Sequence, residues 1–142
     1  NTYVSGSFGQ YTFEDFKDNG NDFSGNRLTG VPHSKMNAGI TFNYSGLYLS
    51  TDFQFTDKMP LNDANAIYNN AYSILNLKSG YRFSIFQNLV SNIAFGVNNV
   101  TNEHYASMVL VNATAFGNNT PRFYYPGMPV NYYGSFSFNY LF

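Results

Sequence analysis

Only 11% of the residues in this 142-residue chain are charged and the net charge is −1, whereas aromatic residues reach 20%, with 13 Tyr and 15 Phe. The lack of net positive charge excludes bulk attraction to nucleic acid, and the absence of cysteine excludes disulfides, thiol chemistry and cysteine-bound metals. No apolar run approaches the ~20 residues that a transmembrane helix requires, so no such helix is expected.

The chain begins with a predicted strand. Residues 2–16 are rich in Tyr, Phe, Thr and Val, and the phase of their alternation changes near Gly9, which indicates a β-bulge there. Residues 17–33 predict a long loop, because three Gly and one Pro lie among polar residues. Since the sequence contains no signal peptide pattern and starts at Asn1, within the strand pattern and without Met, we expect a fragment or processed piece of a longer polypeptide.

The next two strands are predicted from strict alternation. Residues 35–44 carry apolar side chains at even positions and small or polar ones at odd positions. Ser45 and Gly46 then indicate a tight hairpin turn, and residues 47–57 continue with the apolar side chains at odd positions. A period of two predicts strands whose two faces meet different environments.

The rest of the chain repeats this pattern of strands and loops. In order, it predicts a second long loop at 58–71, a strand at 72–83, a short turn at 86–88, a strand at 89–99, the longest loop at 100–130 and a last strand at 131–142. The apolar face of the last strand comprises Tyr132, Phe136, Phe138, Tyr140 and Phe142. Its opposite face is mostly Ser and Asn, as expected between lipid and a wet lumen.

These elements predict an all-β fold, a segment of an antiparallel transmembrane β-barrel. Six strands of roughly 10 residues each are joined alternately by long and short connections, which is typical of outer-membrane barrels. Because closed membrane barrels have at least about 8 strands, the first and last strands need partner strands that this sequence lacks. Two alternatives obey the same period: a soluble β-sheet binding module with one face in its own core, and a small passive outer-membrane barrel completed by self-association.

Four strings in the sequence are similar to those of a known family. They are GNRLTGVPHSKMNAGITFNY (25–44), DKMPLNDANA (57–66), NNVTNEHYASMVLVN (98–112) and PRFYYPGMPVNYYGSFSFNYLF (121–142). In this order and spacing they resemble the C-terminal part of TonB-dependent outer-membrane receptors, especially those of the ferric-siderophore type. One departure is Val130, which stands where the family often has Arg.

The resemblance implies an architecture and a function. Residues 1–142 would form the last six strands of a plugged barrel of roughly 22 strands, in the outer membrane of a Gram-negative bacterium. The receptor would import a ferric siderophore or similar bulky nutrient with energy from TonB, which contacts an N-terminal part absent from this sequence. Its other partners would be membrane lipid, the plug and remaining strands, and the barrel-assembly machinery. That machinery would act through a C-terminal signature of Phe136, Phe138, Tyr140 and Phe142.

Loop position and strand alternation then give two sets of candidate residues within this architecture. Ligand contacts are expected in the outer loops from Arg27, His33, Asn62, Asp63, Tyr68, Tyr105, Arg122, Tyr124 and Tyr125, since Arg and Tyr suit anionic, aromatic iron chelates. Lumen- or plug-facing positions are Asp52, Gln54, Asn76, Lys78, Arg82, Asn92 and Asn139. The simpler interpretation is ordinary loop structure for the first set and, for the second, mutual pairing in the lumen, such as Asp52 with Lys78 or Arg82.

No enzyme active site, cofactor or metal site is predicted. His33 and His104 lie in different loops without a carboxylate cluster at ligand spacing. Glu103 and His104 are adjacent, which on a strand would point them to opposite faces. The sequence therefore favours a transport or binding protein over an enzyme.

Overall fold

The computed structural model describes residues 1–115 and 117–140. Its long strands are β1 (Thr2–Phe8), β4 (Ser34–Tyr44), β5 (Leu47–Thr56), β8 (Tyr72–Phe86), β9 (Leu89–Asn98) and β12 (Asn131–Tyr140). Its short strands are β2 (Lys17–Asp18), β3 (Asn21–Asp22), β6 (Met59–Pro60), β7 (Tyr68–Asn69), β10 (Ala106–Val109) and β11 (Tyr124–Pro126). Within these described ranges, no helix is long and apolar enough to cross a membrane.

The six long strands form one antiparallel sheet in the order β1-β4-β5-β8-β9-β12. Each long strand therefore pairs with the long strand that precedes or follows it along the chain. In the part of the chain that the structure describes, β1 pairs only with β4 and β12 only with β9, so the sheet is open. The predicted fold class is confirmed: the protein is all-β, with antiparallel strands that form part of a barrel wall.

The strand register gathers the apolar side chains on one face. Across five strands, Tyr44 lies opposite Leu47, Leu47 opposite Tyr81, Tyr81 opposite Ile93, and Ile93 opposite Phe136. All five are exposed, and Tyr44 retains 70% of its accessible surface. Monomeric soluble proteins rarely expose so continuous an apolar surface, whereas a lipid-facing barrel wall requires one.

The buried apolar side chains lie away from that face. Among the described residues they are Met59, Leu61, Ile74, Ala94 and Ala106. Ile74 and Ala94 belong to the opposite face of the sheet, while Met59, Leu61 and Ala106 lie in the long connections. The main packed region is therefore at the end of the sheet where the long connections meet.

The first strand is shorter than predicted. β1 ends at Phe8 and pairs with β4 without a register shift, so the predicted bulge near Gly9 is wrong. Beyond Phe8 the backbone leaves the sheet: Gly9 N donates to His33 O at 3.0 Å, and Leu28 N donates to Tyr11 O at 2.8 Å. The alternation changes phase there because the chain bends into the first connection.

The turn after β8 and the three long loops also differ from the prediction. β8 continues to Phe86, so the turn is confined to Gln87 and Asn88, and the register irregularity of the sheet lies between Ser84 and Phe86. Each predicted long loop contains a two-stranded ribbon: β2–β3, β6–β7 and β10–β11, respectively. These strands are too short to show a period in the sequence. Phe142, the last residue of the predicted signature, lies outside the described residues.

Candidate functional site

We name the three long connections L1 (residues 9–33), L2 (residues 57–71) and L3 (residues 99–130). They leave the same end of the sheet, whereas the tight turns at Ser45–Gly46 and Gln87–Asn88 lie at the other end. The polar face of the sheet runs between these two ends. The candidate residues therefore fall into two regions, the polar face and the L1–L3 cluster.

Tyrosine–glycine pairs shape the polar face. In each pair the two residues lie directly opposite on neighbouring strands, and a Cβ on the glycine would overlap the tyrosine ring. The pairs are Tyr3 with Gly39, Tyr48 with Gly80, and Tyr133 with Gly96. Glycine in a strand interior commonly marks such a close approach. The rings therefore lie flat against the wall.

The carboxylate of Asp52 is held by neutral donors on this face. The Tyr3 hydroxyl donates to Asp52 Oδ2. Gln54 Nε2 and Asn76 Nδ2 donate to Asp52 Oδ1 at 3.0 Å and 3.4 Å. Asp52, Gln54 and Asn76, all predicted to face the lumen, thus form one network that spans β1, β5 and β8.

The two cations predicted for this face do not pair with Asp52. Lys78 Nζ and the Arg82 guanidinium carbon each lie 5.9 Å from the centre of the Tyr48 ring. Among the described residues, the ion pair within 4.0 Å is Lys17–Asp22, in the β2–β3 ribbon. The suggested pairing of Asp52 with Lys78 or Arg82 is therefore wrong, because the neutral donors occupy the carboxylate and the ring lies between the cations.

The last two residues of the predicted lumen set share the same face. Asn92 lies directly opposite Arg82, and its Oδ1 is buried without a hydrogen-bond donor among the described residues. Asn139 lies opposite Val90 near the tight turn of β8 and β9. The register places all seven predicted positions on one face, as the alternation predicted.

Asp63 of L2 joins all three connections. Its Oδ1 accepts a hydrogen bond from Thr29 Oγ1 at 2.5 Å, and its carbonyl oxygen accepts one from Asn26 Nδ2 at 2.8 Å, both from L1. From L3, Asn112 Nδ2 donates to Asp63 Oδ2 at 2.8 Å, while Asp63 N donates to Asn112 Oδ1 at 3.0 Å. The two bonds to the carboxylate, from Thr29 and Asn112, are charge-assisted and therefore stronger than neutral ones.

Asn65 makes a second link between L1 and L2. Its Oδ1 accepts from Arg27 N and its Nδ2 donates to Arg27 O, each at 2.9 Å. Asn65 has a positive φ of 52°, a conformation that Asn tolerates better than most residues. Asn62 Oδ1 accepts from Ala66 N and Ile67 N, which stabilises the turn within L2. Of the predicted residues, Asp63 therefore links the connections and Asn62 stabilises a turn inside L2.

Asn99, which is not among the predicted site residues, fixes the two ends of L3. It is only 2% exposed. Its Nδ2 donates to Glu103 O at 2.9 Å and Met128 O at 3.0 Å, and its Oδ1 accepts from Glu103 N at 2.8 Å. Asn102 Oδ1 likewise accepts from Val130 N at 3.0 Å. The signal in the sequence was the repeated Asn in a turn-forming string. In the structure, Asn99 and Asn102 both adopt a positive φ of 51°.

A cleft of about 810 Å³ lies between L2 and L3. Its aromatic and ionisable lining residues are Tyr68, Tyr72, Glu103, His104, Tyr105 and Tyr124. The Tyr72 and Tyr105 rings are in contact, with centroids 5.2 Å apart. Small-molecule sites commonly measure roughly 300–1,000 Å³ and are lined by aromatic rings with a few polar groups. We call this the tyrosine cleft.

The remaining ligand candidates lie elsewhere. Arg27 and His33 line a smaller cavity of about 370 Å³ with Lys58, whose Nζ lies 5.9 Å from the centre of the Tyr68 ring. Arg122 lines a separate recess of about 550 Å³ within L3. Tyr125 is exposed on β11 and does not line the tyrosine cleft. In the described ranges, no three side chains are grouped so that they could hold a metal ion.

One charged group in L1 has a perturbed pKa. Hydrogen bonds from Ser24 to the Asp22 carboxylate hold the pKa of Asp22 below its ordinary value, with a smaller contribution from Lys17. Ser24 N donates to Asp22 Oδ1 at 3.0 Å. Because Asp22 is exposed and its partners belong to the same ribbon, this shift describes a local turn of L1 and no binding site.

An open antiparallel sheet with one apolar and one polar face, and with long connections at one end only, defines a segment of a transmembrane β-barrel. The sequence matches the family described as "TonB dependent receptor-like, beta-barrel" over residues 2–100, which is 99 of its 142 residues. The chain therefore belongs to the TonB-dependent receptor β-barrel family. This is a family of outer-membrane transport receptors of Gram-negative bacteria, and it is not an enzyme family. A comparison with curated proteins finds no match.

Proposed function

We propose that residues 1–142 are the C-terminal part of the barrel of a receptor that imports a ferric siderophore or a similar bulky nutrient, driven by TonB. Membership of a family of transport receptors supports import across the outer membrane. The observation that carries the ligand proposal is the tyrosine cleft, because it provides an aromatic site of suitable size among the long connections.

The chemistry of the cleft suits an aromatic, anionic chelate. Tyr68, Tyr105 and Tyr124 supply faces for stacking and hydroxyl groups for hydrogen bonds. Lys58 lies over the Tyr68 ring and also lines the cavity that contains Arg27, so positive charge adjoins the aromatic site. A ligand that spans both cavities would combine stacking with charge neutralisation.

Each face and edge of the sheet has a proposed partner. The apolar face contacts outer-membrane lipid, and the polar face contacts the plug. The edge strands β1 and β12 pair with the remaining barrel strands, which satisfies their backbone hydrogen bonds. The barrel-assembly machinery engages the C-terminal strand, and TonB acts through a segment that precedes this sequence in the receptor.

Two adjacent tyrosines provide a matched test of the ligand site. Tyr124 lines the cleft and Tyr125 does not, although they are 62% and 53% exposed, respectively. In the complete receptor, Tyr124→Ala should weaken the binding of its ferric chelate about tenfold, because a lost aromatic contact costs about 1–1.5 kcal/mol. Tyr125→Ala should leave the affinity unchanged. The measurement is uptake and binding of radioactive iron offered with catecholate, hydroxamate and citrate chelators.

Two results would contradict the proposal. Equal effects of the two substitutions would remove the tyrosine cleft from consideration as the ligand site. Iron uptake at the same rate in cells that lack TonB would instead favour a passive outer-membrane barrel.

A further inference from the structure

Asn76 of β8 lies where the polar face of the sheet meets L3. Its Nδ2 donates to Asp52 Oδ1 at 3.4 Å, and its Oδ1 accepts from Asn99 N at 3.0 Å. The carbonyl oxygen of the preceding residue, Leu75, accepts from Val100 N at 2.9 Å. The first two residues of L3 are therefore joined to β8, one through a side chain and one through the backbone.

The two ends of the Asn76 amide match their partners. An ionised carboxylate only accepts hydrogen bonds, and a backbone N–H only donates them. The amide has one donating and one accepting end, so it fits between Asp52 and Asn99 in a single orientation. A second acceptor at position 76 would face the Asp52 oxygen. An apolar side chain there would leave the N–H of Asn99 unpaired, and Asn99 is buried.

Asn99 extends this connection to the tyrosine cleft. Its side chain is hydrogen-bonded to the backbone of Glu103 and Met128. Glu103 lines the cleft, and Met128 follows Gly127, another lining residue. Gly127 N donates in turn to Tyr105 O at 2.7 Å, and the Tyr105 ring also lines the cleft. A continuous series of hydrogen bonds therefore joins the polar face to the L3 side of the cleft.

We propose that Asn76 is a positioning residue for the tyrosine cleft. Asn76 does not line the cleft, whereas Tyr72, at the start of the same strand, does. By holding Asn99 against β8, Asn76 fixes the L3 side of the cleft relative to Tyr72, and Asp52 fixes the orientation of the Asn76 amide. This inference rests on the proposed function, in which the cleft binds a ferric chelate. It assigns control of the cleft geometry to a residue of the barrel wall.

Substitutions in the complete receptor test this role, with radioactive iron presented in turn as its catecholate, hydroxamate and citrate chelates. For the chelate that the wild type binds, Asn76→Ala should weaken binding roughly tenfold, since an unpaired buried N–H shifts an equilibrium by about that factor. Apparent affinity falls with the fraction of molecules that keep the binding geometry. Asn37→Ala is the matched control. Asn37 lies opposite Gln54 on the same face, and its side chain has no hydrogen bond among the described residues.

An exchange of the two groups separates positioning from a general loss of stability. Asn76→Asp should bind as weakly as Asn76→Ala, because its carboxylate would face that of Asp52. The double variant D52N/N76D should recover most of the affinity, because the new carboxylate accepts both from Asn99 N and from the new amide at position 52. Amide hydrogen exchange in residues 99–105, measured without ligand, should rise several-fold in both single variants and fall again in the double variant.

The outcomes separate this inference from the proposed function. Equal affinities of Asn76→Ala and Asn37→Ala would overturn the inference, as would a double variant that binds no better than Asn76→Asp. In either case, TonB-dependent uptake that is weakened by Tyr124→Ala would leave the proposed function standing. Equal effects of Tyr124→Ala and Tyr125→Ala would instead contradict the ligand site. Unchanged hydrogen exchange in residues 99–105 would by itself overturn the role of Asn76.

Discussion

Three glycines on the polar face are placed where any larger residue would collide with a tyrosine. Gly80 is the most confined of them, since an added Cβ would overlap the Tyr48 ring and lie 2.7 Å from Ile93 O. Even if the ring moved, the Ile93 carbonyl would still be too close, because it belongs to the backbone of β9. The lack of a side chain at Gly80 thus leaves room for the Tyr48 ring, next to which Lys78 and Arg82 lie.

Gly80→Ala should therefore destabilise the receptor by about 1–3 kcal/mol, the usual range for overpacking a closely packed site. Gly134→Ala is the matched control: Gly134 is also in a strand of the sheet, but an added Cβ there would meet only Ala94 O at 3.8 Å. Unfolding of the complete receptor in detergent, followed against urea, gives the comparison. Equal midpoints for the two variants would show that Tyr48 is free to move.

The position of the Tyr48 ring could not be predicted from the sequence. Alternation assigned Tyr48, Lys78 and Arg82 to one face correctly, because the face of a side chain depends only on its parity and the strand register. Which ring covers which glycine depends on side-chain rotamers and cross-strand neighbours, which no local pattern reports. The expected ion pair of Asp52 was wrong for the same reason.

At the scale of elements, the long connections behave as one packed unit. Leu61 of L2 is 1% exposed, Asn112 N of L3 donates to Leu61 O at 2.8 Å, and Gly30 N of L1 donates to Pro60 O at 2.8 Å. These backbone bonds lie beside the side-chain bonds of Asp63 and Asn65. L2 therefore forms the centre of the cluster, with L1 and L3 on either side.

Removal of Asp63 should loosen all three connections together. Asp63→Ala deletes the acceptors of Thr29 and Asn112. Lost hydrogen bonds to a charged group typically cost about 1.5–3 kcal/mol. Limited proteolysis of the complete receptor should then cut L1 and L3 faster than in the wild type. Asp57→Ala is the control, because among the described residues its carboxylate accepts from Lys58 N alone, within L2. Faster cleavage of L2 alone would contradict the shared role of Asp63.

The strands could be predicted from the sequence, but this cluster could not. Tight turns such as Ser45–Gly46 and a period of two specify local neighbours, so the sheet order followed from the chain order. The link from Asp63 to Asn112 spans 49 residues and depends on single side chains in irregular backbone. Asn99 was missed because turn propensity gives no information about burial.

On the scale of the whole molecule, the open sheet supports the proposal that further strands complete the barrel. Its apolar face has no second layer among the described residues, and β1 and β12 each have one paired side there. The alternation and loop lengths were sufficient to predict this incompleteness, since six strands cannot close a membrane barrel.

Residues 1–142 produced alone should therefore be insoluble in buffer without detergent, because both the exposed aromatic face and the open edges favour association. With detergent, the fragment should form oligomers through β1 and β12. Size-exclusion chromatography with light scattering measures both states. A monomer that is soluble without detergent would instead favour the alternative of a soluble β-sheet binding module.

The link through Asp63 and Asn65 also limits how ligand preference can be transferred between related receptors. A chimera that receives only L3 would acquire new lining residues for the tyrosine cleft, but it would lose the Asn112 side chain that meets Asp63. The tyrosine cleft of such a chimera would have the intended lining residues, but the loops around it would be displaced. Under the proposed function, the unit of exchange is therefore L1, L2 and L3 together, because replacing one of them removes hydrogen bonds that join it to the others.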